Sequence, residues 1–309
     1  MKKKLALALA AVMVLSMALT SCGKDSSSAS SGGGSSTGGG STVSSGGSES
    51  GLSPKDGGSS LTFTTGGETG TYYGFGSVIA GKVTDLTSTS VKAIASGGSD
   101  ANIKAMLQGD AQIGFSQSDV MVYAYNGERT FTDAITNFSV VANLYMEQVQ
   151  IVTLNPDIKT VADLKGKTVS VGASGSGVYF NAVDVLGAYG LDIEKDITPT
   201  YQDFANSTEA LKDGQIDAAF VVAGAPTTAV TDLASGRDVY LVSLDQEHID
   251  ALIEASPYYS PATISKDVYG TAEDATTVAI GAVVIARDDV SEADVYNFLY
   301  GTFEDIPNL

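Results

Sequence analysis

The sequence has 309 residues, with 36 acidic against 17 basic side chains, a net charge of −19 and one cysteine. So acidic a surface argues against a nucleic-acid partner, and a lone cysteine allows no disulfide framework. The length suffices for two lobes of ordinary size once the front of the chain is set aside.

That front has the layout of an export signal. Lys2, Lys3 and Lys4 precede an apolar run from Leu5 to Leu19, which is short for a membrane span. Leu19-Thr20-Ser21-Cys22 resembles a bacterial lipobox, in which the cysteine is lipidated and starts the mature protein. Residues 1–21 are therefore expected to be a lipoprotein signal peptide. Residues 22–60 are expected to be lipidated Cys22 and a disordered Ser/Gly-rich tether. Such a segment buries too little to offset its ordering entropy, and its reach is about 35 Å. No other run of about 20 apolar residues follows, so the expected location is the extracytoplasmic face of a cell membrane, held by lipid.

The folded part is expected over 61–309. Leu61 to Thr64 reads as a strand. The glycine loop Thr65-Gly66-Gly67-Glu68-Thr69-Gly70 leads from it into a helix marked by Tyr73, Val78, Ile79 and Val83. A strand that turns through glycines into a helix leaves the first N–H groups of that helix unpaired. The helix dipole then makes the place suitable for an anion. Val91 to Ala95 is a second strand. A helix follows Ser96-Gly97-Gly98-Ser99, with Ser99 its expected N-cap and Gly109 its end. Ala111 to Ser116 is a third strand, and Gln117-Ser118-Asp119 opens a third helix. Phe138–Leu144 and Gln148–Leu154 read as two more strands. Strands alternating with helices imply a mostly parallel α/β sheet.

A second unit begins near residue 155. Val161–Lys167 is a short helix and Thr168–Val171 a strand. The loop Gly172-Ala173-Ser174-Gly175-Ser176-Gly177 then enters a helix, Tyr179–Tyr189. Ser207–Asp213 is a helix ended by Gly214, and Asp217–Val222 is a strand. Pro226, after Ala223-Gly224-Ala225, is expected in the first turn of a helix Thr227–Ala234, and Val239–Val242 is a further strand. Gly70-Thr71-Tyr72-Tyr73 matches Gly177-Val178-Tyr179-Phe180. Likewise Ala105–Gly109 and Ile113-Gly114-Phe115 match Ala210–Gly214 and Ala218-Ala219-Phe220. This internal repeat predicts two similarly built lobes.

In such sheets ligands sit beyond the carboxyl ends of the strands. Four helix N-termini are expected around one cleft, near Gly67–Tyr73, Gly97–Asn102, Ser174–Gly177 and Gly224–Pro226. The chain then returns to the first lobe through a strand at Thr276–Ile285 and a helix at Val290–Phe303. Crossings near Glu147–Val152 and Thr276–Ala282 would form a hinge. The expected lobes are 61–148 with 277–309, and 149–276.

Catalytic chemistry is not legible. The one histidine, His248, lies in a polar helical stretch and reads as a solvated surface residue. No zinc-ligand spacing, dinucleotide fingerprint or P-loop occurs, so no metal and no cofactor are expected. A hydrolase built on Ser174 or Ser176 would lack a histidine to activate either serine, and Ser174 lacks the glycine of a nucleophile elbow. Asp119 and Asp217 read as surface or capping residues. No enzyme activity is expected. The three arginines, Arg129, Arg237 and Arg287, lie outside the glycine loops. A ligand carboxylate would then be held by backbone N–H groups, hydroxyls and tyrosines.

Several runs occur in an order that resembles the TAXI-type solute receptors of TRAP transporters. They are Thr65-Gly66-Gly67 with Gly70-Thr71-Tyr72-Tyr73, Ser96-Gly97-Gly98-Ser99 with Asn102, and Gln117-Ser118-Asp119. Leu144-Tyr145 with Glu147, Asp163-Leu164-Lys165-Gly166-Lys167, Gly172–Gly177 and Val222-Ala223-Gly224-Ala225-Pro226 complete the set. The likeness spans nearly all of 61–300. It implies a two-lobe type II periplasmic-binding-protein fold with an interlobe ligand cleft. It also implies capture of a small organic acid or acidic amino acid, glutamate- or glutamine-like, and delivery to a TRAP-type membrane permease. Tyr145-Met146-Glu147-Gln148 departs from the family's frequent Tyr-Pro-Glu-Pro, and the chain stops at Leu309, sooner than that pattern leads one to expect. A monomer is expected. An ABC transporter or a ligand sensor is the alternative setting for the same fold.

Gly67, Thr69, Tyr72, Tyr73, Gly97, Ser99, Asn102 and Gln117 are the ligand-binding residues expected on one wall. Ser174, Gly175, Ser176, Gly177 and Ala225 are expected opposite, with Tyr145 and Glu147 near the hinge. Glu147 has two readings, an acceptor for a ligand ammonium or the partner of a lysine.

Overall fold

The computed structural model describes residues 52–304. The signal peptide, Cys22 and the tether as far as residue 51 lie outside the described residues. The chain opens with β1 (Ser60–Thr64), α1 (Thr71–Leu86), β2 (Ser90–Ile94), α2 (Ser99–Gln108), β3 (Ile113–Gln117) and α3 (Ser118–Asn126). A long strand, β4 (Phe138–Thr153), leads to β5 (Thr168–Ser170), α4 (Val178–Ala188), β6 (Thr198–Thr200), α5 (Phe204–Lys212) and β7 (Ala218–Ala223). Next come α6 (Thr228–Ala234), β8 (Tyr240–Leu241), α7 (Gln246–Ala255), β9 (Ser260–Ile264) and α8 (Lys266–Tyr269). The described chain closes with β10 (Ala275–Arg287) and α9 (Glu292–Phe303). Among the described residues no helix is long and apolar enough to cross a membrane.

The strands form one sheet in the order β2-β1-β3-β10-β4-β7-β5-β6, with β8 on β4 and β9 on β10. β1 runs parallel to β2 and β3, and β5 parallel to β6 and β7. Each lobe thus has the order second-first-third, and the repeat legible in the sequence is a repeat of topology. β4 and β10 run antiparallel to each other and to their outer neighbours β7 and β3, joining the two halves.

Side chains alternate between two cores on each half. Along β7, Ala218, Phe220 and Val222 join Val149, Ile151 and Val185, whereas Ala219, Val221 and Ala223 join Val230 and Leu233. Along β10, Ala282, Val284 and Ala286 pack with Phe63, Phe115 and Phe298, and Val283 and Ile285 with Ile103 and Phe138. That period of two reports helices covering both faces. Each such large side chain contributes about 1.5–3 kcal/mol by full burial. β10 changes lobes at Gly281. Ala275, Val278 and Ile280 fill second-lobe cores, and Ala282 onward fills the first. The expected boundary at 276/277 therefore falls inside this strand.

Some local expectations differ from the structure. The two strands read at 138–144 and 148–154 are one, because Tyr145 to Gln148 pair with Ala282 to Ala279 of β10 and carry the ladder through. Gly98, not Ser99, precedes α2 as its cap residue. Pro226 lies ahead of Thr227, the cap residue of α6, after a cis bond from Ala225. His248 stays partly exposed at the surface but has partners there: its ring stacks on Tyr189 at 3.6 Å and its Nδ1 lies 2.7 Å from Asp245.

The end of the expected tether is also tied down. Lys55 N–H donates to Asn297 Oδ1 at 2.7 Å, and Ser59 N–H and Oγ donate to Asp294, each at 2.8 Å. Burial alone would raise the Asp294 carboxyl, but donors from Ser59, Ser291 and Thr89 hold it below the ordinary range. Composition marks this stretch as tether; partners on α9, far away in sequence, give it a place.

Candidate functional site

Gly70 and Gly177, the two repeat glycines, line one pocket between the lobes, with a volume of about 170 Å³. The first lobe supplies the β1–α1 and β2–α2 loops, Tyr72, Ser99, Gln117 and Glu147. The second supplies Ala173, Ser176, Gly177 and Val178, the start of α5 at Asp203 and Phe204, and Val222 and Ala223. Among the described residues, no lysine, arginine or histidine lines it, and its ionisable carboxyls are Glu147 and Asp203.

Helices α1, α2 and α4 begin at this pocket with no side-chain cap. Their positive dipole ends and first N–H groups, apart from the Ala101 N–H of α2, which the Gly175 carbonyl takes at 3.0 Å, favour a negative ligand group there. The fourth start is α5, already capped by Asp203, whose carboxylate accepts from Asn206 N–H at 2.8 Å. The sequence leads one to expect the α6 end there instead. In the structure the α6 end ties the lobes together: Thr71 Oγ1 donates to the Gly224 carbonyl at 2.9 Å, and Ala229 N–H to the Thr69 carbonyl at 3.1 Å. The repeat held the missed signal. The step from Gly109 to Gly214, applied to Ser99 at the start of α2, arrives at Phe204, the start of α5.

The polar centre belongs to the first lobe. The Tyr72 ring stacks on Phe115 at 4.5 Å, and Phe115 on Phe63 at 4.9 Å, so core packing aims the phenol. Its hydroxyl donates to Glu147 Oε2 at 2.9 Å. Glu147 is 2% exposed. Burial, reinforced by the charge of Asp119, pushes its carboxyl well above the ordinary value although the Tyr72 hydrogen bond acts against this. The lysine-partner reading of Glu147 is not what the structure shows. Gln117 Oε1 is buried without a hydrogen-bond partner. It lies so close over Gly177 that a Cβ there would fall 1.6 Å from it, so only glycine fits.

Gln117 also starts a chain of hydrogen bonds across the lobes. Its Nε2 donates to Asn181 Oδ1 at 2.9 Å, and Asn181 Nδ2 donates to Tyr259 Oη at 2.8 Å and Asp119 Oδ2 at 3.3 Å. Tyr259 Oη donates to Asp184 Oδ2 at 3.1 Å, and Arg129 Nη2 to Asp184 Oδ1 at 2.8 Å. Asp119, expected at the surface or in a cap, is fully buried in this network, and burial pushes its carboxyl up to about 7. With Phe180 of α4 seated in a first-lobe core, the lobes are in a closed arrangement.

Of the expected site residues, Gly67, Tyr72, Gly97, Ser99, Gln117, Glu147, Ser176 and Gly177 line the pocket. Seven do not. Tyr73 lies one step further round α1 and is half-exposed. Asn102 is buried beneath the wall, donating to the carbonyls of Thr65 and Phe115 at 2.6 and 2.8 Å. The Tyr145 ring packs by Phe75 and Gly224. Thr69 and Gly175 give their carbonyls to Ala229 and Ala101 of the opposite lobe. The Ser174 carbonyl lies beside Gly97, and Ala225 N–H donates to Gln148 Oε1 at 3.1 Å. Apart from Tyr73, these residues hold the walls together instead of facing the pocket.

Solved structures share this architecture. A protein of Bordetella bronchiseptica RB50 matches with a TM-score of 0.54 at 17% identity, over 79% of this chain and 70% of its own. Holo ArgBP from T. maritima matches with a TM-score of 0.50 at 14% identity, over 80% and 90%. The substrate binding protein of an amino acid ABC transporter matches with a TM-score of 0.50 at 11% identity, over 80% and 93%. At these identities the likeness is one of fold, the two-lobed type II periplasmic-binding-protein fold of solute-binding proteins. Matched from residue 63 to 309, most of its length, the chain belongs to the NMT1-like family.

Proposed function

We propose that this chain is a lipid-anchored extracytoplasmic receptor that captures a small organic acid or acidic amino acid and delivers it to a TRAP-type secondary transporter. The observation that carries the reading is the convergence of three uncapped helix starts, from both lobes, on a pocket without a cationic side chain. Such a site holds a carboxylate through N–H donors, each charge-assisted bond contributing about 1.5–3 kcal/mol. Glu147 and the unpartnered Gln117 Oε1 favour a ligand that also carries an amino group, hence a glutamate- or glutamine-like compound. Anchoring through Cys22 and delivery to a TRAP permease rest on the lipobox and the ordered motifs. Calorimetry of ligand-stripped protein with amino acids, dicarboxylates and 2-oxo acids tests the binding. Micromolar affinity for one such compound is the expected result, and no binding across the panel would sink the reading. The likeness to the binding protein of an amino acid ABC transporter favours ABC delivery as a second reading. Recovery of the membrane partner by cross-linking in cells separates the two.

A further inference from the structure

We propose that Glu147 gives up a proton when the ligand's ammonium seats against it, so that an amino acid is bound in exchange for H⁺ released to solvent. This deepens the amino-acid reading above and rests on it. The carboxyl group lies in the pocket wall, 2% exposed, with the Tyr72 hydroxyl at 2.9 Å as its donor. Among the described residues, the groups around it offer no counter-charge. α1 presents Tyr72, its own strand Tyr145, and α3 Asp119, a second buried acid. Across the pocket α5 presents Asp203, and β7 presents Val222 and Ala223. Its partner on β10 is Ile280.

A lone carboxylate in such a place is costly, and the neutral acid is the stable form of the empty site. An ammonium at the same place reverses the balance, because an opposite charge at short range favours ionisation. The exchange is simple: the O–H bond of Glu147 breaks, its proton passes to buffer, and the ligand keeps all three ammonium protons. One of these bonds the carboxylate. Gln117 Oε1, buried and without a partner in the same pocket, offers a second acceptor. A ligand without an amino group would behave in the opposite way, accepting a hydrogen bond from the neutral acid and binding less well as pH rises.

The test is calorimetry of the ligand-stripped protein with L-glutamate and with glutarate, in phosphate and in Tris near neutral pH. For glutamate the heats should differ between buffers by the amount for close to one proton released. Its affinity should rise by up to about tenfold per pH unit until Glu147 ionises in the empty protein. Glutarate should release none, and Glu147→Gln should remove both effects. Glutamate binding with equal heats in the two buffers would overturn the exchange and leave the solute reading standing. So would a ¹³C-carboxyl signal, missing in Glu147→Gln, that titrates in the ordinary glutamate range. Failure of every amino acid to bind would end the amino-acid reading and the exchange together, even if that signal titrates high.

Discussion

The two lobes share a topology but contribute different chemistry to the cleft. The first lobe supplies the side chains with functional groups, Glu147, Gln117, Tyr72 and Ser99. The second presents mostly small or apolar ones, Ala173, Gly177, Val178, Phe204, Val222 and Ala223; its polar side chains there are Ser176, spending its hydroxyl on the Ala173 carbonyl at 2.8 Å, and Asp203, whose carboxylate caps α5. The first lobe is therefore suited to choosing the ligand, and the second to covering it and bringing up a helix N-terminus. Duplicated architecture fixes where helix ends point; the residues carried on those ends divide the labour.

If the second lobe acts as a close-fitting cover, bulk there should do the most harm. Ser176 packs against Gly98 of the first lobe, where a Cβ would already lie 3.3 Å from its side chain. Ser176→Phe should weaken binding by up to about 100-fold, in keeping with overpacking of up to about 3 kcal/mol. Titration calorimetry reads this, and a native-like circular dichroism spectrum shows that the fold survives. Undiminished affinity would show that the lobes meet elsewhere.

Chemistry in the first lobe should matter next. Glu147→Gln keeps the shape but loses the charge, and should cost about 10- to 100-fold in affinity for an amino acid, the range of one charge-assisted bond. Its effect on a dicarboxylate should be small, and equal losses for both ligands would deny the first lobe its selective role.

Asp119 tests the seam between the lobes. Its folded-state value of about 7 lies above the ordinary 3.8. The neutral form is thus favoured in the folded protein, and its contribution is full below about pH 4 and lost as pH rises to about 7. Asp119→Asn stays neutral and keeps the acceptor for Val120 N–H. It should raise stability at alkaline pH by on the order of 1–3 kcal/mol and flatten the pH dependence of thermal unfolding. An unchanged profile would mean that Asp119 is solvated.

Asp184→Asn should have the smallest effect. It weakens the pair with Arg129 at the outer end of the interlobe chain, where both side chains are partly exposed. An increase of about fivefold in ligand off-rate, with the on-rate unchanged, is expected from a pair worth about 1 kcal/mol. Stopped-flow release measures it, and a change in on-rate alone would place the pair outside closure.

Much of the fold was legible because its signals are local. Glycine loops between apolar runs and helices placed α1, α2 and α4, and their recurrence revealed the duplication. Within the site, helical geometry separates Tyr72 from Tyr73 by about 100°, yet it does not say which of the two faces the pocket. Packing on Phe115 decides that. Asn102 shows the converse. Its position beside a glycine loop suggests a ligand contact, but the carbonyls of Thr65, just past the end of β1, and of Phe115, in the middle of β3, claim its amide.

What the residues alone settled is the alternating βα order, the doubled glycine loops and the absence of a cationic side chain from those loops, since each follows from neighbours along the chain. Three-dimensional packing was needed to run β4 unbroken through Tyr145–Gln148, to bring α5 rather than α6 to the pocket, and to bury Glu147 and Asp119 without a counter-ion. Those outcomes depend on contacts between residues up to more than a hundred positions apart. Burial and the hydrogen-bond partners it leaves to a carboxyl are properties of such contacts and of no single stretch of chain.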